Sequence, residues 1–89
     1  MVEREITVSN RLGLHARAAA KLVQLSGRYA ARVTLLCRGR EVNAQSILGV
    51  MMLAAGKGVQ LAVRAEGDDE EAALAAVVDL FNRKFDEPD

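Results

Sequence analysis

The 89-residue chain has no tryptophan, one tyrosine, two phenylalanines, one proline, one histidine and one cysteine, and its formal net charge is zero. Each scarcity excludes something. Cys37 has no partner for an internal disulfide, and a single histidine with a single cysteine cannot supply the side-chain ligands of a zinc site, so neither a metal nor a cofactor is expected. No apolar run approaches the ~18 residues of a membrane-spanning helix, and Glu3, Arg4 and Glu5 stand where a signal peptide needs an apolar stretch. The expected location is therefore cytoplasmic, with no membrane partner. With so few aromatic residues, two of them (Phe81 and Phe85) on a helical core stripe, the sheet lacks a stacking platform, so nucleic acid is not an expected partner either.

What charge there is lies unevenly. Residues 1–44 hold eight Lys/Arg against three Asp/Glu, whereas residues 45–89 hold four against nine, so the first half suits an acidic partner or a phosphate. The length allows a single domain over 1–89, burying ~60–65% of its unfolded surface.

Hydrophobic periodicity predicts the order β-α-β-β-α-β-α. Val2, Ile6 and Val8 alternate with charged and polar residues as a strand ending at Ser9-Asn10, and a loop from Arg11 to Leu14 comes next. In a helix from Ala16 to about Leu25, Ala19, Leu22, Val23 and Ser26 share a core face, Arg17, Lys21, Gln24 and Arg28 point to water, and Gly27 marks the stop. Val33, Leu35 and Cys37 form a strand, turned at Gly39 into a short partner around Val42. Ser46 is a good N-cap for a helix from Ile47 to about Leu53; Val59, Leu61, Val63 and Ala65 form the last strand. Asp68 with Glu71 makes a capping-box-like start for a final helix whose core stripe is Leu74, Val77, Val78, Phe81 and Phe85, and the acidic end Asp86-Glu87-Pro88-Asp89 reads as frayed. The fold class is α+β, an open-faced β-sandwich with a four-stranded antiparallel sheet and three helices on one face. Periodicity leaves the strand order open, and a ferredoxin-like arrangement fits it equally well.

The chemistry concentrates at His15. It immediately precedes a helix, where backbone N–H groups are unpaired and the helix dipole is positive, and Arg17 adds a guanidinium two residues on. Such a corner suits an anion, and a phosphoryl group carried on the imidazole would be stabilised where it forms. The plainer alternative is a solvated histidine beside an ordinary surface arginine.

Gly13-Leu14-His15-Ala16-Arg17-Ala18-Ala19 resembles the active-site segment of the HPr family, phosphocarriers of the bacterial phosphoenolpyruvate-dependent phosphotransferase system. Ser46-Ile47-Leu48-Gly49-Val50-Met51-Met52 is similar to that family's regulatory serine and the short helix it opens, and the 31-residue separation of His15 from Ser46 also fits. The resemblance covers essentially the whole chain. Many members have proline at the position of Ala18; the alanine-rich version here is closer to the nitrogen-related branch.

The resemblance implies a strand order first-fourth-second-third and a covalent relay rather than an enzyme. His15 would accept a phosphoryl group at Nδ1 from phospho-Enzyme I and pass it to an enzyme IIA-type acceptor, with Arg17 and the amides of Ala16, Arg17 and Ala18 stabilising the phosphate. Ser46 would be a regulatory site; in parts of the family an HPr kinase/phosphorylase acts there. Ala20, Lys21, Gln24, Ile47, Leu48 and Met51 would form the docking patch of a monomer. The alternative is a regulatory interaction module of a nitrogen-related system, without direct sugar transport. A self-standing phosphatase is disfavoured because nothing around His15 supplies a second catalytic group.

Overall fold

The computed structural model describes residues 1–87. The chain runs β1 (Val2–Thr7), α1 (Ala16–Ser26), β2 (Arg32–Cys37), β3 (Arg40–Asn43), α2 (Ile47–Met52), β4 (Gln60–Glu66) and α3 (Glu70–Asn82), then a short turn at Lys84–Asp86. All strand pairs are antiparallel and the sheet order is β1-β4-β2-β3, the order implied by the family resemblance. Leu35 on β2 stands opposite Val63 on β4 and Val42 on β3.

Alternation places Leu61, Val63 and Ala65 of β4, and Val33, Leu35 and Cys37 of β2, in the core beneath the helices. Ala18, Ala19 and Leu22 of α1, Val50 of α2, and Val77 and Phe81 of α3 meet them. Each fully buried large side chain contributes ~1.5–3 kcal/mol against the chain entropy lost on folding. Ser26, also buried, places its hydroxyl 2.7 Å from the Leu22 carbonyl and 3.2 Å from that of Ala44, tying α1 to the residue after β3.

Three sequence expectations need correction. In α1 the buried face is Ala18, Ala19, Leu22 and Ser26, whereas Val23 is only half-buried, and Gly27 caps the helix without leaving right-handed space. In α3 the buried residues are Ala73, Val77, Val78, Leu80 and Phe81, with Leu74 half-buried; Phe85 is fully buried but lies beyond the helix. The end of the chain is not frayed through Glu87, because Asp86 is ion-paired with Arg83 and Glu87 returns to the first helix. Pro88 and Asp89 lie outside the described residues.

The start of α3 also differs from the expected capping box. Asp69, not Asp68, precedes the helix, and its carboxylate accepts hydrogen bonds from the N–H groups of Ala30 at 2.9 Å and Ala31 at 2.7 Å instead of capping α3. The Gly67 N–H donates to Glu70 at 3.1 Å. Thus Asp69 anchors the entry to β2 onto the entry to α3. The Ala30 bond, opposed by burial and reinforced by the Ala31 bond, holds the Asp69 carboxyl below its ordinary value of 3.8.

A carboxyl depressed in the folded state stabilises the fold above its unfolded value, and that contribution disappears as pH falls through the folded value. The stability difference between wild type and Asp69→Ala, measured by urea unfolding, should therefore be larger at neutral pH than at about pH 2. An equal difference at both would remove the ionised carboxylate from the account.

Candidate functional site

The loop before α1 is built around a buried asparagine. Asn10 Nδ2 donates to the Gly13 carbonyl at 2.8 Å and the Gly13 N–H donates to the Asn10 carbonyl at 3.2 Å, closing a tight turn. Gly13 has φ +68°, and a Cβ there would stand 2.5 Å from the Ala55 carbonyl oxygen and 2.7 Å from Gly56 Cα. Only glycine satisfies both demands. The buried Leu14 then donates its N–H to that same Ala55 carbonyl at 2.9 Å, clamping the loop onto the segment after α2.

His15 emerges from this clamp as the N-cap of α1, with φ −74° and ψ 179°. Its carbonyl accepts from the Ala19 N–H at 2.8 Å, but its imidazole makes no capping hydrogen bond. The amides of Ala16, Arg17 and Ala18 thus begin a helix that offers them no acceptor, at the positive end of its dipole. Arg17 is exposed and has no ion pair among the described residues. Arg11, Leu12, His15, Ala16, Arg17 and Glu87 line an open depression of about 540 Å³. Two guanidinium groups and a helix terminus therefore border the imidazole, a setting that attracts an anion.

Glu87 is the site residue that sequence reasoning missed. Its Oε1 accepts from Asn10 Nδ2 at 3.1 Å and its Oε2 contacts His15 Nε2; the carboxylate side chain is only 10% exposed. Burial alone would disfavour its charge. The hydrogen bonds from His15 and Asn10, with the Lys21 ammonium nearby, outweigh that and hold the carboxyl below its ordinary value.

The backbone brings it there through a turn no pattern announces. Lys84, Phe85 and Asp86 have φ of 57°, 56° and 59°, left-handed values that cost ~1–2 kcal/mol each for residues with a Cβ. Burial of Phe85, edge-on to Phe81 at 4.8 Å, offsets part of that cost. Arg83 braces the turn from Asp79 at 2.8 Å to Asp86 at 2.9 Å, and Lys21 Nζ donates to the Phe85 carbonyl at 2.6 Å.

The other expected residues divide. Ile47, Leu48 and Met51 are exposed on α2, joined by Met52 and by Leu12 from the loop, while Val50 is the buried residue of that helix. Gln24 is exposed and Ala20 half-buried, but Lys21 is half-buried and committed to the Phe85 carbonyl rather than pointing freely to water. Ser46 caps α2, its Oγ accepting from the Gly49 N–H at 3.0 Å.

Gly13→Ala should destabilise the protein by about 2–4 kcal/mol, from left-handed strain plus the forced retreat of Ala55 and Gly56. Denaturant unfolding checks this; a loss under about 0.5 kcal/mol would mean the clamp is pliable.

Comparison with known proteins gives a consistent picture. A family model described as the PTS HPr component phosphorylation site matches residues 2–83. The phosphocarrier protein HPr of Xylella fastidiosa (strain Temecula1) is 53% identical over 87 residues, covering 98% of each chain. The phosphocarrier protein NPr of Escherichia coli K12 is 45% identical over 87 residues, covering 97% of each. The crystal structure of HPr-C-His from Thermoanaerobacter tengcongensis superposes with a TM-score of 0.95 at 42% identity, over 99% of each chain.

Proposed function

Because this chain belongs to the HPr family, phosphocarriers of the phosphotransferase system, we propose that His15 is the residue that carries its phosphoryl group. The observation that supports this is the placement of a partly exposed imidazole at the N-cap of α1, bordered by unpaired helix amides and Arg17. Neutral imidazole attacks the phosphorus of phospho-Enzyme I, and an N–P bond forms as the donor's N–P bond breaks with its electron pair returning to the donor nitrogen. The equatorial oxygens carry the charge of the transferring group, and the amides of Ala16, Arg17 and Ala18 with the Arg17 guanidinium receive it. An enzyme IIA-type acceptor then removes the group by the same step in reverse. A phosphoramidate is reactive enough to leave again, and the carrier supplies position and charge rather than turnover.

The exposed apolar surface of Ile47, Leu48 and Met51 is read as the docking patch, with Met52 and Leu12 extending it. Methionine repacks readily against different partners, which suits a surface that must meet donor and acceptor in turn. Ala18 and the matches to proteins named NPr support a second reading, a regulatory carrier of a nitrogen-related system. The chemistry at His15 is the same in both, so the two separate on which Enzyme I, supplied with phosphoenolpyruvate, labels the chain faster.

With phosphoenolpyruvate and its Enzyme I, wild type should gain an acid-labile phosphate and His15→Ala none, with the fold intact in both. Arg17→Ala should slow labelling by roughly 10- to 1000-fold with little change in stability. An acid-labile phosphate on the alanine variant would overturn the assignment of His15, and wild-type rates from Arg17→Ala would reduce that residue to a surface charge.

Ser46 is read as regulatory because a phosphate on it, the work of an HPr kinase/phosphorylase where a host has one, would add charge at the rim of the apolar patch. Ser46→Asp keeps a good N-cap, so melting should be unchanged. The carrier concentration giving half-maximal transfer from Enzyme I should rise about 3- to 10-fold at low salt and recover at high salt. Identical curves for wild type, Ser46→Ala and Ser46→Asp would leave Ser46 a helix cap only.

A further inference from the structure

The matched family segment ends at residue 83, and residues 84–87 of this chain turn back into the site. The Glu87 carboxylate has two fixed contacts among the described residues, Asn10 Nδ2 on one oxygen and His15 Nε2 on the other. Neither oxygen bonds the amides of Ala16, Arg17 and Ala18 or the Arg17 guanidinium, so the carboxylate does not occupy the place of a phosphoryl anion. It engages the ring by one nitrogen and leaves the helix start open.

An ionised carboxylate only accepts hydrogen bonds, and its carboxyl is held toward the charged form here. Contact with Nε2 then requires a proton on that nitrogen, which in a neutral imidazole leaves the lone pair at Nδ1. We propose that Glu87 is a positioning residue for His15: it holds the imidazole in the Nε2–H tautomer and fixed orientation, making Nδ1 the nucleophile, and it offsets the positive charge the ring acquires on phosphorylation. This rests on His15 being the phosphoryl carrier.

The balance of the step shows why a carboxylate helps. The Nδ1 lone pair forms the new N–P bond while the donor's bond to phosphorus breaks, its electron pair leaving with the donor. No proton needs to leave His15, so the ring, now substituted at Nδ1 and still protonated at Nε2, is cationic. An anion already seated on Nε2 compensates that charge without reorganising. Asn10 makes the arrangement rigid, because one buried amide bonds both the Gly13 carbonyl of the loop that places His15 and the carboxylate that orients its ring. Burial of Phe85 and the Arg83 brace fix the approach of Glu87, so little freedom remains to be lost at the moment of reaction.

The test uses the full chain with ¹⁵N-labelled histidine and potassium phosphoramidate as a small-molecule donor, which excludes effects on protein docking; ammonia leaves with the electron pair. In wild type the His15 Nε2–H proton should be protected from exchange with water and visible by NMR, and ³¹P–¹⁵N spectra should place the phosphoryl group on Nδ1. Glu87→Ala should lose the protected signal and be labelled roughly 10- to 100-fold more slowly. Glu87→Gln, which keeps an acceptor but not the charge, should retain the signal and fall between.

Wild-type rate or an unchanged ring signal in Glu87→Ala would overturn the proposal, as would phosphorylation at Nε2 in wild type. If His15→Ala remains unlabelled in that case, only the role of Glu87 falls. If wild type takes no label on His15 at all, the carrier assignment itself fails, and the role of Glu87 falls with it.

Discussion

The position of His15 depends on a backbone contact rather than on any side chain of its own. Gly13, left-handed and without a Cβ, lies against Ala55 and Gly56, and the Leu14 N–H is bonded to the Ala55 carbonyl. This clamp joins the loop after β1 to the segment leaving α2, two stretches about 40 residues apart that the chain must bring together before either can settle. Once it closes, α1 can begin only at Ala16, and the imidazole stands outside the helix with open amides behind it. The same closure carries α2, and so its exposed apolar residues, to the neighbourhood of the site. The helix start with its open amides and the exposed apolar face of α2 thus share one mechanical origin.

Much of this was legible because the sequence repeats its message at several levels. Leu61, Val63 and Ala65 alternate so regularly that β4 could hardly face another way, and Ser46 announces a helix that its hydroxyl does cap. His15 was legible for the same reason: glycine before it, alanine-rich helix after it and arginine two residues on all point to one arrangement. Strand order was not legible from periodicity, since alternation fixes which residues face the core and says nothing of which strand is the neighbour.

The failures have identifiable causes. Asp68 and Asp69 are equally good caps by type, and the choice between them was made by Ala30 and Ala31, whose amides needed an acceptor and lie far away in sequence. Phe85 continues a helical stripe by spacing, yet the backbone leaves right-handed space after Arg83. No glycine or asparagine occupies Lys84, Phe85 or Asp86 to signal left-handed φ, so local propensity gave the wrong state and burial of one aromatic ring decided the outcome. Glu87 then became invisible as a site residue, since an acidic residue near a chain end reads most simply as solvated.

That turn also changes how the charge of the chain should be understood. Read in halves, the sequence sets a basic beginning against an acidic end, and halves of a sequence need not be faces of a fold. The fold instead brings one member of the acidic half onto the histidine of the basic half, while Lys21 of the basic half bonds the backbone of the acidic one. Long-range attraction between the two would be weak in water at a Debye length of ~8–10 Å. It acts only after Phe85 has delivered the tail, at short range and with Glu87 mostly sequestered. The apolar contact therefore comes first in the causal order, and the electrostatics of the site are its consequence: a substitution at Phe85 would unseat the Glu87 carboxylate from His15 without altering any charged residue.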